Sequence, residues 1–388
     1  MLRYNRSAVV LRVAVIFIPC VAIFALELYI AACIFAVQWA KIKPRQGGAM
    51  NIALIGLGMV AATHVHAIKS APKLHLSGVW GRDSAKTADF AARHATRAFS
   101  SVHEIAQDPA IDFVILATPP NARRDIVQEL AAAGKPILME KPIERDVQAA
   151  SDLVQICAQA GVPLAMMLQH RAREASQALK TALEAGDLGE ICSVDLRVPW
   201  WRAQSYYDAP GRGTYERDGG GVMISQAIHT LDLAIWLLGP VLSVQAMMRQ
   251  TALHHLEAED WAGALFDMQC GAFGTLLATT AAYPGGAETI ALQGTKAAAL
   301  LGSGVLEISY LDGGKMRIGA EGTTGGGADP MAFTHEWHQS VIEDFAKALR
   351  SGGQPLASGE SALEAQAVID AMQRASESGQ KQQVQQWG

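Results

Sequence analysis

Asn51-Ile52-Ala53-Leu54-Ile55-Gly56-Leu57-Gly58-Met59-Val60-Ala61 decides how the rest of the chain is read. A short apolar strand, 51–55, runs into G-x-G-x-x-A, and residues 59–70 have helical character. At a strand-to-helix turn each small residue has a separate task. Gly56 permits the tight turn, Gly58 lets the main chain approach a pyrophosphate, and Ala61 allows close helix–strand packing. The first turn of the helix, at Met59 and Val60, then offers free amides and a positive dipole end to phosphate. A glycine triplet by itself could be only a tight structural turn; this setting favours a dinucleotide site.

Downstream, strand and helix alternate. Strands are expected at 74–80, 112–117, 136–140 and 162–167. Helices are expected at 84–94, at about 122–133 closed by Gly134, and from a cap at Asp146 to about Ala160. That alternation predicts βαβ units and a doubly wound parallel Rossmann sheet over 50–168. The pattern then changes. After a helix at about 173–185, strands at 191–199, 241–250, 260–268, 273–282, 288–294, 300–302 and 304–310 follow without helices between most of them. This predicts an α+β half, 169–377, with a large open, mostly antiparallel sheet. One helix, 222–238, sits inside it. A glycine-rich loop at 322–327 precedes helices at about 333–350 and 360–375, and 378–388 reads as a frayed tail.

The chain has 388 residues, room for two domains. Half the residues are hydrophobic and the net charge is −5, so neither disorder nor nucleic-acid binding is indicated. Five scattered cysteines without metal spacing suit reduced thiols in a cytoplasmic protein. Residues 1–49 stand apart, with six bases and one acid, Glu27. Without them 26 bases and 36 acids remain, a net of −10. The apolar run at 13–40 is long enough for a membrane helix. Met50 leads straight into the first strand and is an alternative start. The extension is therefore expected to be either a misassigned start or a single membrane anchor.

The second strand ends at Val79-Trp80-Gly81-Arg82-Asp83. An acid there would bind the ribose 2′-hydroxyl of NAD, whereas an arginine suits the 2′-phosphate of NADP. Gly81 stands where the acid is expected and Arg82 follows, so NADP is slightly favoured over NAD. In the other reading, Asp83 reaches the ribose and Arg82 is a surface charge.

Several motifs then occur in order: Ala117-Thr118-Pro119-Pro120-Asn121, Gly134-Lys135-Pro136 leading to Glu140-Lys141-Pro142, Gln169-His170-Arg171, Arg212-Gly213-Thr214, Gly219-Gly220-Gly221, and Gln226-Ala227-Ile228-His229-Thr230-Leu231-Asp232. With Gly56 to Ala61, they make the chain resemble the glucose–fructose oxidoreductase / inositol dehydrogenase / rhizopine catabolism (Gfo/Idh/MocA) family over nearly all of 51–377. The resemblance implies a Rossmann half, an antiparallel sheet whose face often serves homo-oligomers, and NAD(P)-dependent hydride transfer on sugars or polyols. It places Lys141 beside nicotinamide and substrate hydroxyl. Thr118, Pro119, Asn121 and Glu140 are expected in the cofactor site. Two positions depart from the pattern. Arg123 stands where a histidine is frequent, which is expected to matter little. Ser225 stands where an acid is frequent, four residues before His229, which puts the proton relay in doubt.

Oxidising a secondary alcohol needs a base for the hydroxyl proton, and histidine is well matched near neutral pH. His229 is the expected base and Lys141 the group that polarises the hydroxyl or shares its proton. On one continuous helix Ser225, His229 and Asp232 share a face, so Ser225 is expected to support His229, and Asp232 either to orient it or simply to hold a domain contact. Gly219 to Gly221 would let a ligand approach the main chain closely. Arg171, Trp201, Arg202, Tyr207 and Arg212 are candidate substrate contacts, since aromatic faces beside arginine suit a sugar; paired tryptophans are as often core. His335-Glu336-Trp337-His338 lacks metal spacing and reads as a solvated helix face, and His254-His255 as surface or structural, so no metal is expected. The alternative to an enzyme is a non-catalytic dinucleotide-binding sensor on the same fold.

Overall fold

The computed structural model describes residues 48–322, 326–327, 331 and 333–387. The 13–40 run, and with it the anchor reading, lies outside the described residues. Among the described residues no helix is long and apolar enough to cross a membrane.

The first sheet contains β1 (Met50–Ile55), β2 (Leu74–Trp80), β3 (Arg97–Ala98), β4 (Phe113–Leu116), β5 (Ile137–Glu140) and β6 (Leu164–Met167). Its strands are all parallel, in the order β3-β2-β1-β4-β5-β6. β4, β5 and β6 are buried along their whole length, which is why they read as unbroken apolar runs rather than alternating ones. Asp83, Ser101 and Asp146 cap the helices that follow them by accepting backbone amides of Lys86, Glu104 and Ala149. Strand order reverses between β1 and β4. Ligands bind beyond the carboxyl ends of strands at such a reversal, here at Gly56 and Ala117.

The second sheet contains β7 (Ile191–Pro199), β8 (Val241–Arg249), β9 (Trp261–Met268), β10 (Phe273–Thr279), β11 (Thr289–Gly294), β12 (Ala297–Gly302), β13 (Val305–Tyr310), β14 (Lys315–Gly319) and β15 (Gln382–Gln383). Their order is β14-β13-β12-β11-β7-β10-β9-β8-β15, with only β7 and β10 parallel. Helices Glu174–Glu184, Ile228–Leu238 and Gly359–Ser378 cover one face. The other face exposes Met247, Leu265, Phe273 and Leu300.

Two expectations are corrected. The tail is not frayed throughout: Gln382 and Gln383 pair with Val244 and Ser243, the Val384 amide donates to the Leu242 carbonyl at 3.0 Å, and Val384 is buried. An edge strand held by main-chain bonds leaves no mark in a glutamine-rich sequence. The helix expected over 222–238 is also not continuous. Met223–Ala227 is a π-helical turn, and the α-helix starts at Ile228. The buried Glu259 carboxylate accepts the amides of Gly221 and Met223, each at 3.0 Å, and so anchors the start of this widened turn.

Candidate active site

A cavity of about 650 Å³ opens at the strand-order reversal and runs between the two sheets. Its first wall is the phosphate-type turn. Gly56 has φ +100°, and a Cβ there would sit 2.6 Å from the Ala117 carbonyl carbon, so neither dihedral nor space admits a side chain. At Gly58 a Cβ would meet nothing within 4 Å, leaving this part of the turn open to a ligand. Helix Ala61–Ser70 has no side-chain cap and no acid in its first turn, so its positive end is unopposed. Beside it lie Arg82 and Lys86. Asp83 is occupied as the cap of the next helix, which leaves Arg82 as the residue facing the cavity.

The floor is set by Arg123, whose guanidinium is completely buried. Its Nε and Nη2 donate to the Thr118 carbonyl at 3.1 and 2.8 Å. Its Nη1 donates to the carbonyls of Glu140 (2.6 Å), Ile143 (3.1 Å) and Pro142. One side chain thus ties the Thr118-Pro119 loop to the Glu140-Lys141-Pro142 segment. Burial lowers its pKa to about 10, so it stays charged at neutral pH. The expectation that Arg123 matters little is therefore wrong: it organises both loops.

Lys141 Nζ donates to the Ser225 carbonyl at 2.6 Å, a group in the π-turn. Burial brings its pKa down to about 8; Glu140 opposes that, while Arg212 and Arg123 add to it. Glu140 in turn accepts a 2.9 Å hydrogen bond from His64 Nε2, with His338 Nε2 3.8 Å from the same oxygen. Burial works to raise this carboxyl, but the His64 bond and neighbouring positive charge hold it at about 2. His64, Glu140 and His338 are the one group among the described residues with three metal-type ligand atoms together, within 4.8 Å. Yet Nδ1 of each ring has no partner among the described residues, whereas a metal-bound imidazole usually donates its second N–H to a neighbour. Two rings turning Nε2 towards one carboxylate explain the arrangement by hydrogen bonding alone. His338 is thus buried, not part of a solvated helix face, and burial followed by His64 lowers its pKa to about 3.

His229 is buried and lines the cavity, its ring stacked on His170 at 4.8 Å and 25°. Burial, then the charge of Lys141, holds His229 well below its ordinary pKa, so the ring is neutral and able to accept a proton. Opposite lie Trp200, Arg202, Tyr206, Arg212, Phe333 and Trp337. Arg212 stacks on Tyr206 at 4.7 Å and directs Nη2 at Met59 Sδ, 3.5 Å away in the phosphate-type turn.

Two models match: the "oxidoreductase family, NAD-binding Rossmann fold" over residues 50–168, and the "GFO/IDH/MocA C-terminal domain" over residues 176–300. The chain belongs to the Gfo/Idh/MocA oxidoreductase family. It is 27% identical to a D-apiose dehydrogenase of Rhizobium rhizogenes over 84% of this chain and 95% of the relative. A myo-inositol 2-dehydrogenase of Thermotoga maritima is 23% identical over 80% and 91%. Among solved structures, the WlbA dehydrogenase of Bordetella pertussis, in complex with NADH and UDP-GlcNAcA, superposes with TM-score 0.75. It is 28% identical, covering 88% of this chain and all (100%) of that one.

Within this Gfo/Idh/MocA chain the cavity gathers many of the expected residues: Gly56, Gly58, Met59, Val60, Arg82, Thr118, Pro119, Glu140, Lys141, Ser225, His229, Arg202 and Arg212. Ala61 is fully buried behind the turn, the packing role foreseen for it. Others are elsewhere. Asn121 is exposed outside the cavity. Asp232 does not orient His229; it is locked to Arg171 in a buried bidentate pair at 2.6 and 2.8 Å, which also removes Arg171 from the substrate side. Trp201 packs on Tyr283 and His254, and Tyr207 donates or accepts at Thr280 Oγ1 (2.6 Å), so their neighbours Trp200 and Tyr206 face the cavity instead. Gly219 and Gly221 make room for the protein itself: a Cβ would lie 2.5 Å from the Arg145 main chain and 1.7 Å from the Glu259 carbonyl oxygen. His254 is buried and structural, bonded to Asp260 and the Arg202 carbonyl. Arg123, His64, His170 and His338 were missed. Of these, His170 had a visible mark, standing inside a quoted motif.

Proposed function

We propose that this chain transfers a hydride between the nicotinamide of NAD(P) and a secondary alcohol or ketone carbon of a sugar-like or polyol substrate. The observation that carries the reading is that Lys141 and His229 line the same cavity as the open phosphate-type turn. Residues 50–168 would hold the nucleotide, with the diphosphate against Gly58, Met59 and Val60 and the nicotinamide end towards Glu140 and Lys141. Arg212, reaching Met59 across the cleft, suits the diphosphate better than the substrate. The bound nicotinamide supplies or takes the hydride. Lys141, its pKa brought near 8, polarises the hydroxyl oxygen, and neutral His229 takes or returns its proton. Residues 169–377 would hold the substrate, with Trp200, Arg202 and Tyr206 on its far side. The sugar and polyol dehydrogenases among its relatives, and the nucleotide-sugar complex of WlbA, support this substrate class.

Arg82 facing the cavity while Asp83 caps a helix supports NADP over NAD. The exposed apolar row Met247, Leu265, Phe273 and Leu300 on the open sheet supports a homo-oligomer formed through that face. The test is to titrate the protein with NADPH and NADH, then screen sugars and polyols for change in reduced-nicotinamide absorbance. Tight nucleotide binding without turnover of any of them would defeat the enzyme reading.

A further inference from the structure

His229 has no carboxylate within ion-pair distance among the described residues. Ser225 brings no charge, and Asp232 is committed to Arg171. The positive groups acting on His229 are Lys141, Arg173 and His338 when protonated. A base that becomes a cation here would find little support from its own helix.

A second acid approaches from the other sheet. Glu288, just before β11, is buried, and its Oε1 accepts from Arg173 Nη1 at 2.7 Å and lies 3.8 Å from His170 Nε2. His170 is the ring stacked on His229. Behind them a cavity of about 10 Å³ is lined by His170, Arg173, Thr230 and Glu288, room for one water. Among the described residues each of these four has a buried polar atom without a partner: His170 Nδ1, Arg173 Nε, Thr230 Oγ1 and Glu288 Oε2.

Resting on the hydride-transfer reading above, we propose that Glu288 is a positioning residue that acts through His170 to support His229 as proton acceptor. In the oxidation the substrate O–H bond breaks and its proton passes to the His229 imidazole, while the C–H bond gives its hydride to the oxidised nicotinamide. The charge created on His229 faces the stacked His170 ring. Arg173 takes only Oε1 of Glu288, whereas Arg171 takes both oxygens of Asp232, so Glu288 keeps Oε2 to supply counter-charge, with a water in the small cavity bridging that oxygen to His170 and Thr230. The acid missing at position 225 is replaced from a different strand.

The test is independent of the substrate. The titration midpoint of His229 is followed by NMR of ¹⁵N-histidine in the full chain loaded with NADH, for wild type, Glu288→Gln and His170→Asn. Loss of the negative charge, or of the ring that transmits it, should lower the midpoint by at least about half a pH unit. Glu288→Asp should restore most of it. Unchanged midpoints in both Glu288→Gln and His170→Asn overturn the proposal, and so does a His229 that stays neutral to the acid limit of folding in all of them. If Glu288→Gln fails to fold, His170→Asn alone decides. Should wild type turn over no sugar or polyol, the hydride-transfer reading falls while this result still stands or falls separately.

Discussion

The two walls of the cavity are built on different logic. The phosphate end of the nucleotide wall is one contiguous run, Gly56 to Ala61, whose geometry follows from residue size and backbone freedom. The substrate wall is assembled from at least four separated segments: Lys141 after β5, His170 after β6, Ser225 and His229 around a π-turn, and Trp337 and His338 near the C-terminal end. A local motif tolerates little change but explains itself. A composite wall depends on long-range bonds such as Lys141 to Ser225 and Arg123 to three carbonyls.

The sharpest break between the walls should come from Lys141→Ala and His229→Ala. Each should lower turnover by about 10²–10⁴-fold while leaving nucleotide binding near wild type; stopped-flow hydride transfer with any accepted substrate reads it. Near-normal turnover would remove these residues from the chemistry.

The next effect is structural. Asp232→Asn should cost about 3–5 kcal/mol, because Arg171 is left buried without its partner. Ser225→Ala, in the π-turn that precedes this helix, should leave the denaturant midpoint almost unmoved. Equal losses would contradict the separation of Asp232 from the proton relay.

Within the nucleotide wall two glycines should divide. Gly56→Ala, at φ +100° and against Ala117, should lower the melting temperature and abolish tight binding. Gly58→Ala should melt as wild type but bind NAD(P)H at least about tenfold more weakly, by intrusion on the diphosphate. Calorimetry on both proteins checks this.

Acid should weaken the histidine-lined part of the cavity. His338 is held at about 3 in the fold, so below pH 6.5 the unfolded chain binds a proton that the fold refuses, and stability falls with pH. Glu140, held at about 2, contributes stability that is complete above its ordinary 4.5 and is lost as pH falls towards 2. Both act in one direction. Replacing His338 with Asn should flatten the melting-temperature profile between pH 6.5 and 4.5. The smallest effect is expected at Arg82: Arg82→Ser should weaken NADPH binding while leaving NADH nearly unchanged, and equal changes for both would remove the 2′-phosphate role.

Most of the parallel sheet was legible because buried strands, caps and turns use local chemistry: β2 spans the expected 74–80, and Asp146 is the expected cap. Alternation at Trp200/Trp201 and Tyr206/Tyr207 was not legible in phase, since the residue pairs are alike and only packing on Tyr283, His254 and Thr280 selects the inner member. Asp232 stands on the same regular α-helix as His229, but Arg171, from a separate segment, takes both of its carboxylate oxygens. Arg123 and His338 looked like departures or surface charge. Only their buried partners show otherwise.

By itself the sequence determined what depends on neighbours along the chain: a glycine turn with open space at Gly58, strands that alternate with helices, and the lysine and histidine set in their motifs. Tertiary structure decided which polar groups meet. Glu140 found two histidines, Asp232 an arginine, and Glu288 the ring behind His229, from positions 76, 61 and 118 residues apart for His64–Glu140, Arg171–Asp232 and His170–Glu288. Such pairings carry no local preference, because the free energy of placing a charge depends on what else is buried beside it.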